Sequence, residues 1–447
     1  MKTSAPRHFD STSTAADVLA GVDLSGRSVL VTGGGSGIGR ETARALASAG
    51  ARVTLAVRDT AAGDRAARQV EQSEPGAAVD VRELDLSDVG SVDRLVAAWD
   101  APLDVLIANA GVMKTPEQYT PEGWELQFAT NHLWHFALAT GLHDALAASG
   151  NARVVVVSSS GHDSSPVDFD DLFFARRPYD PDLAYGQSKT ANVLFAVEAA
   201  RRWQPEGITA NALMPGGVWT DLQRHWDPDE LAQAKEASAG GGQVKSVEQG
   251  AATSALLASA PELEHVSGRY FEDCHQADVV AAVTDGLHGV REHALNPVAA
   301  ARLWDVSSAL LAAGRRAAGA GAEAVVRRLI AAIVEGRDDL VLQLLSPDVE
   351  FVNGELGTLR GPAAVLATMR QVTTTMDDVR WDVPRISSRG GHVLAERVDN
   401  FARGGTWASI PLVGVFDVRD GQVVHWREYF DAEQGRTAMA ALPDRRQ

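Results

Sequence analysis

The chain has 447 residues, 45% hydrophobic and 22% charged, which is typical of globular proteins and excludes wholesale disorder. Its formal net charge of −18 disfavours nucleic acid and anionic membrane surfaces as partners. The single cysteine, Cys274, allows neither an internal disulfide nor a Cys-rich metal site, and neither a membrane span nor a signal peptide is recognisable, so we expect a cytoplasmic protein without bound metal.

Residues 1–27 are small and polar, with one weak helical patch, and predict an N-terminal arm. From Ser28 onward, short apolar runs alternate with stretches of helical period, which predicts βαβ units. The expected fold class is α/β, a Rossmann doubly wound parallel sheet over residues 28–313. Its strands are predicted at Ser28–Thr32, Ala51–Val57, Ala78–Leu84, Leu103–Ala108, Arg153–Ser158 and Ile208–Met214.

The segment 314–322 is rich in Gly and Ala without apolar period, and predicts a flexible linker. Helical stretches come first in the region 323–447, and strand-like runs follow. This order predicts a separate α+β domain. Its strands are predicted at Val349–Asn353, His392–Arg403, Thr406–Val418 and Val423–Phe430, with a helix at Gly361–Met376.

The first predicted strand runs directly into a glycine-rich turn, and a helix follows from Arg40. Glycines at this junction let bare backbone approach a pyrophosphate, and the helix N-terminus offers free N–H donors. The turn therefore predicts a dinucleotide site formed by Gly33, Ser36, Gly37, Ile38 and Gly39.

The second strand ends in Arg58, followed by Asp59, where NAD-binding folds commonly place an acid. A guanidinium suits a 2′-phosphate, which favours NADP; a solvated arginine with Asp59 holding the ribose would instead favour NAD. Asp85, followed by Leu86, ends the third strand and is a candidate for contact with adenine or a simple turn residue.

Tyr185 and Lys189 open a long predicted helix, and their spacing of four places them on one face. An ammonium beside a phenol is expected to lower the phenol's pKa, which suits proton transfer to or from an alcohol oxygen. The fifth strand ends in Ser158-Ser159-Ser160, whose hydroxyls can polarise a carbonyl. Taken alone, a Tyr-x-x-x-Lys pair is more often an exposed helix face.

Together with Asn109-Ala110-Gly111 after the fourth strand and Asn131 in the next helix, these motifs resemble the short-chain dehydrogenase/reductase family over about residues 25–300. The resemblance implies the following roles: Tyr185 as acid/base, Lys189 on the nicotinamide ribose, Ser159 (or Ser160) on the substrate oxygen, and Asn131 anchoring a water relay. It also implies cofactor contacts from Asn109, Ala110, Gly111, Pro215, Gly216 and Thr220.

Ser159 and Tyr185 are separated by an unusually long insert, His162–Asp182. With the run that contains Tyr185, this insert resembles the retinol dehydrogenase-like branch of the family, which implies an alcohol or carbonyl on an apolar substrate. The insert's aromatic residues either contact such a substrate or pack on their own domain. The segment Thr220–Gly242 falls where the family keeps a mobile lid.

In the C-terminal region, Arg397 and Asp399 share one strand face, while Glu428 and Asn353 lie on two other predicted strands. If these faces line one curved sheet, two carboxylates and an arginine meet in an apolar pocket. Carboxyls placed so closely cannot titrate alike, so one can serve as acid and the other as base.

Glu396-Arg-Val-Asp399 and Trp426-Arg-Glu-Tyr-Phe-Asp431 resemble limonene-1,2-epoxide hydrolase, an NTF2-like (SnoaL-like) α+β cone. The resemblance implies Asp399 as the acid, Arg397 as the group holding both carboxylates, and Asn353 beside the water. This chain has Glu428 where the family has an aspartate, and Phe351 where it has a tyrosine that holds water.

Three hypotheses follow. The first is a bifunctional tailoring enzyme of natural-product biosynthesis that joins an NADP-dependent (or NAD-dependent) oxidoreductase to an epoxide-opening hydrolase or cyclase. The second is a reductase whose C-terminal domain only binds substrate or dimerises. A non-catalytic scaffold is the third, and the intact Asn131, Ser159, Tyr185 and Lys189 set argues against it. We expect an apolar small-molecule substrate and a homo-oligomer, either a dimer or a tetramer.

Overall fold

The computed structural model describes residues 8–238, 244–354 and 357–443. The chain divides into two compact units, Met1–Leu311 and Ala312–Gln447. Each unit has its own sheet and its own buried apolar cluster. Within the described residues, no helix combines the length and apolar character needed to cross a bilayer.

The strands of the first unit follow the alternating pattern of the sequence. They are β1 (Ser28–Thr32), β2 (Arg52–Val57), β3 (Ala78–Glu83), β4 (Val105–Ala108), β5 (Ala152–Val157), β6 (Ile208–Met214), β7 (Gly217–Val218), β8 (Val244–Lys245), β9 (Tyr270–Glu272), β10 (His275–Gln276), β11 (Val279–Val280) and β12 (Val290–Arg291).

Eight of these described strands form one sheet in the order β10-β9-β6-β5-β4-β1-β2-β3, in which all pairs except β9–β10 are parallel. Strand β5 is buried along its whole length, as expected for a strand covered on both faces. The order reverses between β1 and β4, so the carboxyl ends of these two strands border the crevice where such sheets bind ligands. The predicted Rossmann fold class is therefore confirmed.

Helices connect these strands. They are α1 (Ala15–Leu19), α2 (Gly37–Ser48), α3 (Thr60–Ser73), α4 (Val89–Ala97), α5 (Leu126–Phe128), α6 (Trp134–Gly141), α7 (His143–Ser149), α8 (Pro181–Trp203), α9 (Pro228–Ser238), α10 (Val247–Gly250), α11 (Ala252–Ser259) and α12 (Pro297–Glu335). The predicted helical patch of the N-terminal arm forms α1, whose apolar residues Val18 and Leu19 are buried with those of α2 and α11.

The segment 314–322, predicted to be a flexible linker, lies inside helix α12. The prediction weighed its glycines, but the segment also carries alanine and arginine, which are among the best helix formers. A glycine inside a helix costs only about 1 kcal/mol relative to alanine. Helix formers on both sides are therefore sufficient to keep this segment helical.

The second unit adds α13 (Asp338–Leu344), β13 (Leu345–Asn353), β14 (Gly357–Arg360), α14 (Pro362–Thr373), β15 (Asp378–Arg389), β16 (His392–Arg403), β17 (Thr406–Arg419), β18 (Gln422–Tyr429) and α15 (Ala432–Ala440). These described strands form a sheet in the order β14-β13-β18-β17-β16-β15, with β13 and β18 parallel and the other pairs antiparallel. The predicted separate α+β domain is therefore confirmed as a fold.

Two edge strands of this sheet, β14 and β15, were not predicted from the sequence. The residues of β15 alternate between exposed and half-buried, and Trp381, Val383 and Ile386 pack against the apolar core, so the alternation typical of a strand was present in the sequence and was overlooked. The strand also contains Pro384 at a break in its register with β16, a position that an edge strand tolerates.

Candidate active sites

The turn between β1 and α2 has the backbone shape that the glycine pattern predicts. Gly33 and Gly37 have positive φ angles of 66° and 54°. A Cβ at Gly39 would lie 2.4 Å from the side-chain nitrogen of Asn109 and 2.5 Å from the carbonyl oxygen of Gly33. Only glycine fits these positions, so bare backbone borders the crevice at the start of α2, as a cradle for a pyrophosphate requires.

The Thr32 hydroxyl connects this turn to the end of β4. It accepts hydrogen bonds from the backbone N–H of Asn109 (2.9 Å) and of Ala110 (3.0 Å). The Asn109 side chain donates to the Thr32 carbonyl at 2.9 Å. The predicted cofactor residues Asn109, Ala110 and Gly33 are therefore neighbours, since Ala110 Cα lies 3.0 Å from the position of a Gly33 Cβ.

The two candidate ribose contacts, Arg58 and Asp59, follow β2 and have different surroundings. Arg58 is exposed, whereas Asp59 is the N-cap of α3 and accepts a hydrogen bond from the Ala62 N–H at 3.0 Å. At the end of β3, Asp85 accepts from both the backbone N–H (2.9 Å) and the hydroxyl (2.7 Å) of Ser87. Both carboxylates thus have local structural partners, while the Arg58 guanidinium faces solvent.

Tyr185, Lys189 and Ser159 converge at the other side of the crevice. The first two lie on α8 and are buried, with relative exposures of 7% and 3%. The Lys189 ammonium lies 5.6 Å from the centre of the Tyr185 ring and donates to the Val157 carbonyl at 3.2 Å. A Cβ at Gly161 would lie 2.9 Å from the Tyr185 ring and 3.4 Å from the Ser159 hydroxyl oxygen, so the structure places Ser159 beside Tyr185.

The electrostatics of this pair differ from the expectation. Burial raises the pKa of the Tyr185 phenol to about 12, and the neighbouring Ser159 side chain acts in the opposite direction. Burial also lowers the pKa of Lys189 to about 8, because desolvation disfavours its charge. The net lowering of the phenol's pKa that the sequence led us to expect is not found, because the desolvation of Tyr185 outweighs the effect of a cation 5.6 Å from its ring.

Asn131 does not lie in a regular α-helix but in a π-helical turn, Ala129–Leu133. Its side-chain oxygen accepts from the Val112 N–H at 2.8 Å, and its side-chain nitrogen donates to the Val112 carbonyl at 2.9 Å. Both this oxygen and the Lys189 ammonium lie within 3.6 Å of the position that a Cβ would take at Gly111. The structure thus brings Asn131 and Lys189 to the same loop after β4.

The turn after β6 carries the remaining predicted cofactor contacts, Pro215, Gly216 and Thr220. Gly216 has a φ of 97°, and a Cβ there would lie 2.7 Å from the Lys245 side chain. Thr220 lies next to the glycine cradle, because its methyl carbon is 3.3 Å from the position of a Gly37 Cβ. Lys245 itself forms a buried ion pair with Asp273.

The predicted lid, Thr220–Gly242, contains helix α9. Its last residues, 239–242, lie outside the described part of the chain. Lys114, which follows the β4 loop, forms ion pairs with Glu230 of α9 (2.9 Å) and Asp182 of α8 (3.1 Å). The same ammonium lies 4.6 Å from the ring centre of Trp226, which packs edge-on against Trp219 at 6.3 Å. Two tryptophans therefore lie beside the start of the helix that carries Tyr185.

The aromatic residues of the long insert pack mainly on their own domain. Phe173 packs edge-on against Phe128 at 6.0 Å, and the Arg177 guanidinium lies 4.0 Å from the buried ring of Phe174. Tyr179 donates to the Thr115 carbonyl at 3.0 Å. Of the two alternatives for the insert, these contacts favour packing over substrate contact.

In the second unit, the predicted charged residues meet on the inner face of the sheet. Arg397 donates from Nε (2.6 Å) and Nη2 (2.9 Å) to the two carboxylate oxygens of Asp399, and from Nη2 to Glu428 at 2.5 Å. The Asn353 amide donates to the other oxygen of Glu428 at 2.9 Å. Arg397 is 1% exposed and Asp399 5% exposed, so this is a buried polar cluster in an apolar cone.

Burial raises the pKa of Asp399 to about 6, with Arg397 opposing the shift and Glu428 adding to it. Burial therefore favours the protonated form of Asp399, the residue predicted as the acid. Phe351 is fully buried, and its ring packs on that of Trp426 at 4.5 Å. It offers no polar atom to the cluster.

Sequence reasoning missed three residues that contact these sites. His135 connects Thr32 (2.8 Å) with the carbonyl of Asn131 (3.0 Å), and His162 lies 2.7 Å from the carbonyl of Ser159. Trp381 lies 4.2 Å from the Arg397 guanidinium, on the unpredicted strand β15. The only sequence signal for the two histidines was their close spacing to Asn131 and Ser159. Among the described residues, no three His, Cys, Asp or Glu side chains are arranged to hold a metal ion.

Two family models match the chain. Residues 27–231 match the short chain dehydrogenase model, and residues 321–439 match that of the limonene-1,2-epoxide hydrolase catalytic domain. Both resemblances found in the sequence are thereby confirmed.

Among individual proteins, a Streptomyces lividans protein named "Probable oxidoreductase" is 53% identical over 300 residues, which cover 66% of this chain and 100% of that protein. Retinol dehydrogenase 12 of Homo sapiens is 41% identical over 293 residues, covering 65% and 88%. A crystal structure from Mycobacterium paratuberculosis superposes with a TM-score of 0.52 at 34% identity, and covers 67% of this chain and 97% of that one.

Proposed function

The chain belongs to the short-chain dehydrogenase/reductase family of oxidoreductases, and we propose that its first unit interconverts a carbonyl and an alcohol on an apolar small molecule with NADP(H). One observation carries this proposal. Tyr185 and Ser159 lie side by side, both within 3.4 Å of the position of a Gly161 Cβ, and the Lys189 ammonium lies 5.6 Å from the centre of the Tyr185 ring and 3.6 Å from the position of a Gly111 Cβ, in the loop that borders the glycine cradle.

The residues of this chain account for the proton half of the reaction. In the reducing direction, the substrate oxygen takes a proton from the Tyr185 hydroxyl while the Ser159 hydroxyl donates a hydrogen bond to it. Lys189, whose pKa is about 8, is mainly charged at neutral pH and stabilises the phenolate that remains. Because the phenol alone is a very weak acid here, this cation is essential to the step.

A nicotinamide cofactor supplies or accepts the hydride when bound. The cradle of Gly33, Gly37 and Gly39 suits its pyrophosphate, because a Cβ at Gly39 would fill the space against the neighbouring backbone. Arg58 favours the 2′-phosphate of NADP, while the Asp59 carboxylate caps α3 rather than extending freely toward a ribose. The tryptophans at the lid, Trp219 and Trp226, support an apolar substrate.

The test uses the whole protein with NADPH, NADH and a panel of apolar aldehydes that includes all-trans-retinal. Tyr185→Phe should abolish turnover and leave the affinity for NADPH within about twofold. Tyr119→Phe, at an exposed tyrosine bonded to Glu117, is the matched control and should behave as wild type. Failure of the wild-type protein to bind either nucleotide, or retained turnover in Tyr185→Phe, would overturn the proposal.

For the second unit we propose epoxide opening, with Asp399 protonating the epoxide oxygen and Glu428 removing a proton from the attacking oxygen. As that oxygen bonds to an epoxide carbon, the carbon–oxygen bond of the ring breaks, and no covalent enzyme intermediate is needed. The attacking oxygen belongs to water in a hydrolase or to the substrate's own hydroxyl in a cyclase. Phe351, which cannot hydrogen-bond to water, is the feature that favours the cyclase.

Asp399→Asn combined with Glu428→Gln should abolish opening of limonene-1,2-epoxide or of a hydroxy-epoxide, and should leave the redox step unchanged. Glu396→Gln, on the same strand as Asp399 but exposed, is the control. Opening should also decline as pH rises above about 6, because Asp399 loses its proton there. An unchanged product profile in the double variant would leave the second unit as a binding or dimerisation module.

The remaining expectations are part of the same proposal. A cytoplasmic enzyme of bacterial natural-product tailoring, active as a dimer or tetramer, fits the low cysteine content and the fusion of two units, which would suit sequential steps on one intermediate. Light scattering coupled to size-exclusion chromatography measures the oligomeric state, and a monomer at micromolar concentration would contradict this part.

A further inference from the structure

His162 is fully buried in the turn that follows strand β5, three residues after Ser159. Its Nε2 atom lies 3.1 Å from the backbone nitrogen of Arg291, and its Nδ1 atom lies 2.7 Å from the Ser159 carbonyl oxygen. A backbone N–H can only donate, so Nε2 accepts. The proton of the neutral ring is therefore on Nδ1, which donates to Ser159.

The backbone of His162 is fixed as well. Its carbonyl oxygen accepts from the Thr190 hydroxyl at 3.0 Å and from Nε2 of His293 at 3.1 Å. Thr190 follows Lys189 on α8, so this carbonyl connects the serine turn to the helix that carries the proton-transfer residues. The histidine thus joins Ser159, α8 and residues 291–293.

The hydrogen bonds from His162 fix the backbone of Ser159 and thereby the direction of its hydroxyl. Its carbonyl oxygen receives two hydrogen bonds, from the His162 ring at 2.7 Å and from the His162 N–H at 3.1 Å. Its hydroxyl oxygen accepts from the Gly161 N–H at 3.1 Å and lies beside the Tyr185 ring, since both are within 3.4 Å of the position of a Gly161 Cβ. Without the ring donor, the peptide plane after Ser159 loses its shorter restraint, and the hydroxyl can turn away from the substrate oxygen.

A direct acid/base role does not fit His162. Both ring nitrogens already have backbone partners, and the Tyr270 hydroxyl also lies 3.4 Å from Nδ1. Burial lowers the pKa of the ring, which keeps it neutral. It contacts the backbone of Ser159 rather than any atom that would react.

We infer that His162 is a positioning residue for the reaction, holding the Ser159 carbonyl through its Nδ1–H and thereby aiming the Ser159 hydroxyl at the substrate oxygen. The inference rests on the proposed oxidoreductase function. A displacement on the order of 1 Å at a catalytic group lowers the rate by about a hundredfold, so losing this donor should reduce kcat by about ten- to a hundredfold.

Two polar substitutions separate this role from simple packing. The amide of His162→Asn places a donor near the position of Nδ1 and should keep kcat within about threefold of wild type. The amide of His162→Gln reaches instead toward the position of Nε2 and should show the full ten- to hundredfold loss expected for a displaced group. His132→Gln is the control, because His132 is equally buried but bonds to Ser307. All variants are assayed with NADPH and the best aldehyde of the panel, and their NADPH affinity should stay within about twofold.

The decisive measurement is the same pair of substitutions in a Ser159→Ala background. If His162 acts through Ser159, His162→Gln adds no further loss of kcat there. Additive losses, equal kcat for the Asn and Gln variants, or the same loss in His132→Gln would overturn the inference. Retained turnover in Tyr185→Phe would instead overturn the oxidoreductase proposal itself, so the two failures are distinguishable.

Discussion

Alanine at Gly39 tests whether bare backbone at the start of α2 holds the nucleotide. The new Cβ would lie 2.4 Å from the Asn109 amide nitrogen and 2.5 Å from the Gly33 carbonyl oxygen, whereas ordinary contacts begin at 3.4 Å. One of these groups must move by about 1 Å, and overpacking of this size costs about 1–3 kcal/mol. If the cofactor complex bears that cost, NADPH binds about 5- to 150-fold more weakly.

The assay is a titration of nicotinamide fluorescence, together with a thermal melt of each variant with and without NADPH. Gly35→Ala is the matched control in the same turn, since its Cβ meets only a methyl carbon of Val57 at 3.4 Å. We expect this control to bind NADPH as the wild-type protein does. Equal affinities in Gly39→Ala and Gly35→Ala would refute the cradle.

Three further predictions concern charge. Arg58→Ala should weaken NADPH about tenfold in fluorescence titrations and leave NADH within about twofold; equal losses for both would contradict a 2′-phosphate contact. Because burial lowers the pKa of Lys189 to about 8, the unfolded chain binds more protons above that pH, and the free energy of unfolding in urea should rise between pH 8 and 10. Lys189→Met should flatten that rise, and an unchanged slope would show that the ammonium is not buried. Arg397→Met leaves the buried carboxylates of Asp399 and Glu428 without their positive partner. It should lower the free energy of unfolding of the second unit by about 3–5 kcal/mol in calorimetry, and a decrease below about 1 kcal/mol would contradict a buried cluster.

The sequence could predict the parallel sheet because its strands are buried on both faces and read as unbroken apolar runs, as β5 does. Helix spacing predicted that Tyr185 and Lys189 share one face, whereas the place of Ser159 beside them was implied by the resemblance to the family. In the second unit, alternation within β16 predicted that Arg397 and Asp399 share a face, but whether Glu428 of β18 lies on that face depends on the pairing of the strands. Faces shared within one helix or one strand depend on local period, which a sequence displays.

Features that depend on the surroundings of a residue in the folded chain could not be predicted from the sequence. Desolvation, not the neighbouring ammonium, sets the pKa of Tyr185, and the depth of burial is absent from the sequence. The Asp59 carboxylate caps α3 because its own helix offers unpaired N–H groups nearby. His162 reaches Ser159 through a tautomer that the distant Arg291 N–H selects.

In the π-helical turn at Ala129–Leu133, the number of residues fixes the direction of Asn131, independently of which side chains the other residues carry. Such a turn accommodates one residue more than the α-helix around it, and each residue of an α-helix advances the face by about 100°. Deleting a single residue here would restore regular winding and rotate Asn131 away from Val112, although every catalytic side chain would survive. A single-residue insertion or deletion in this segment should therefore abolish activity even where point substitutions at the same positions are tolerated.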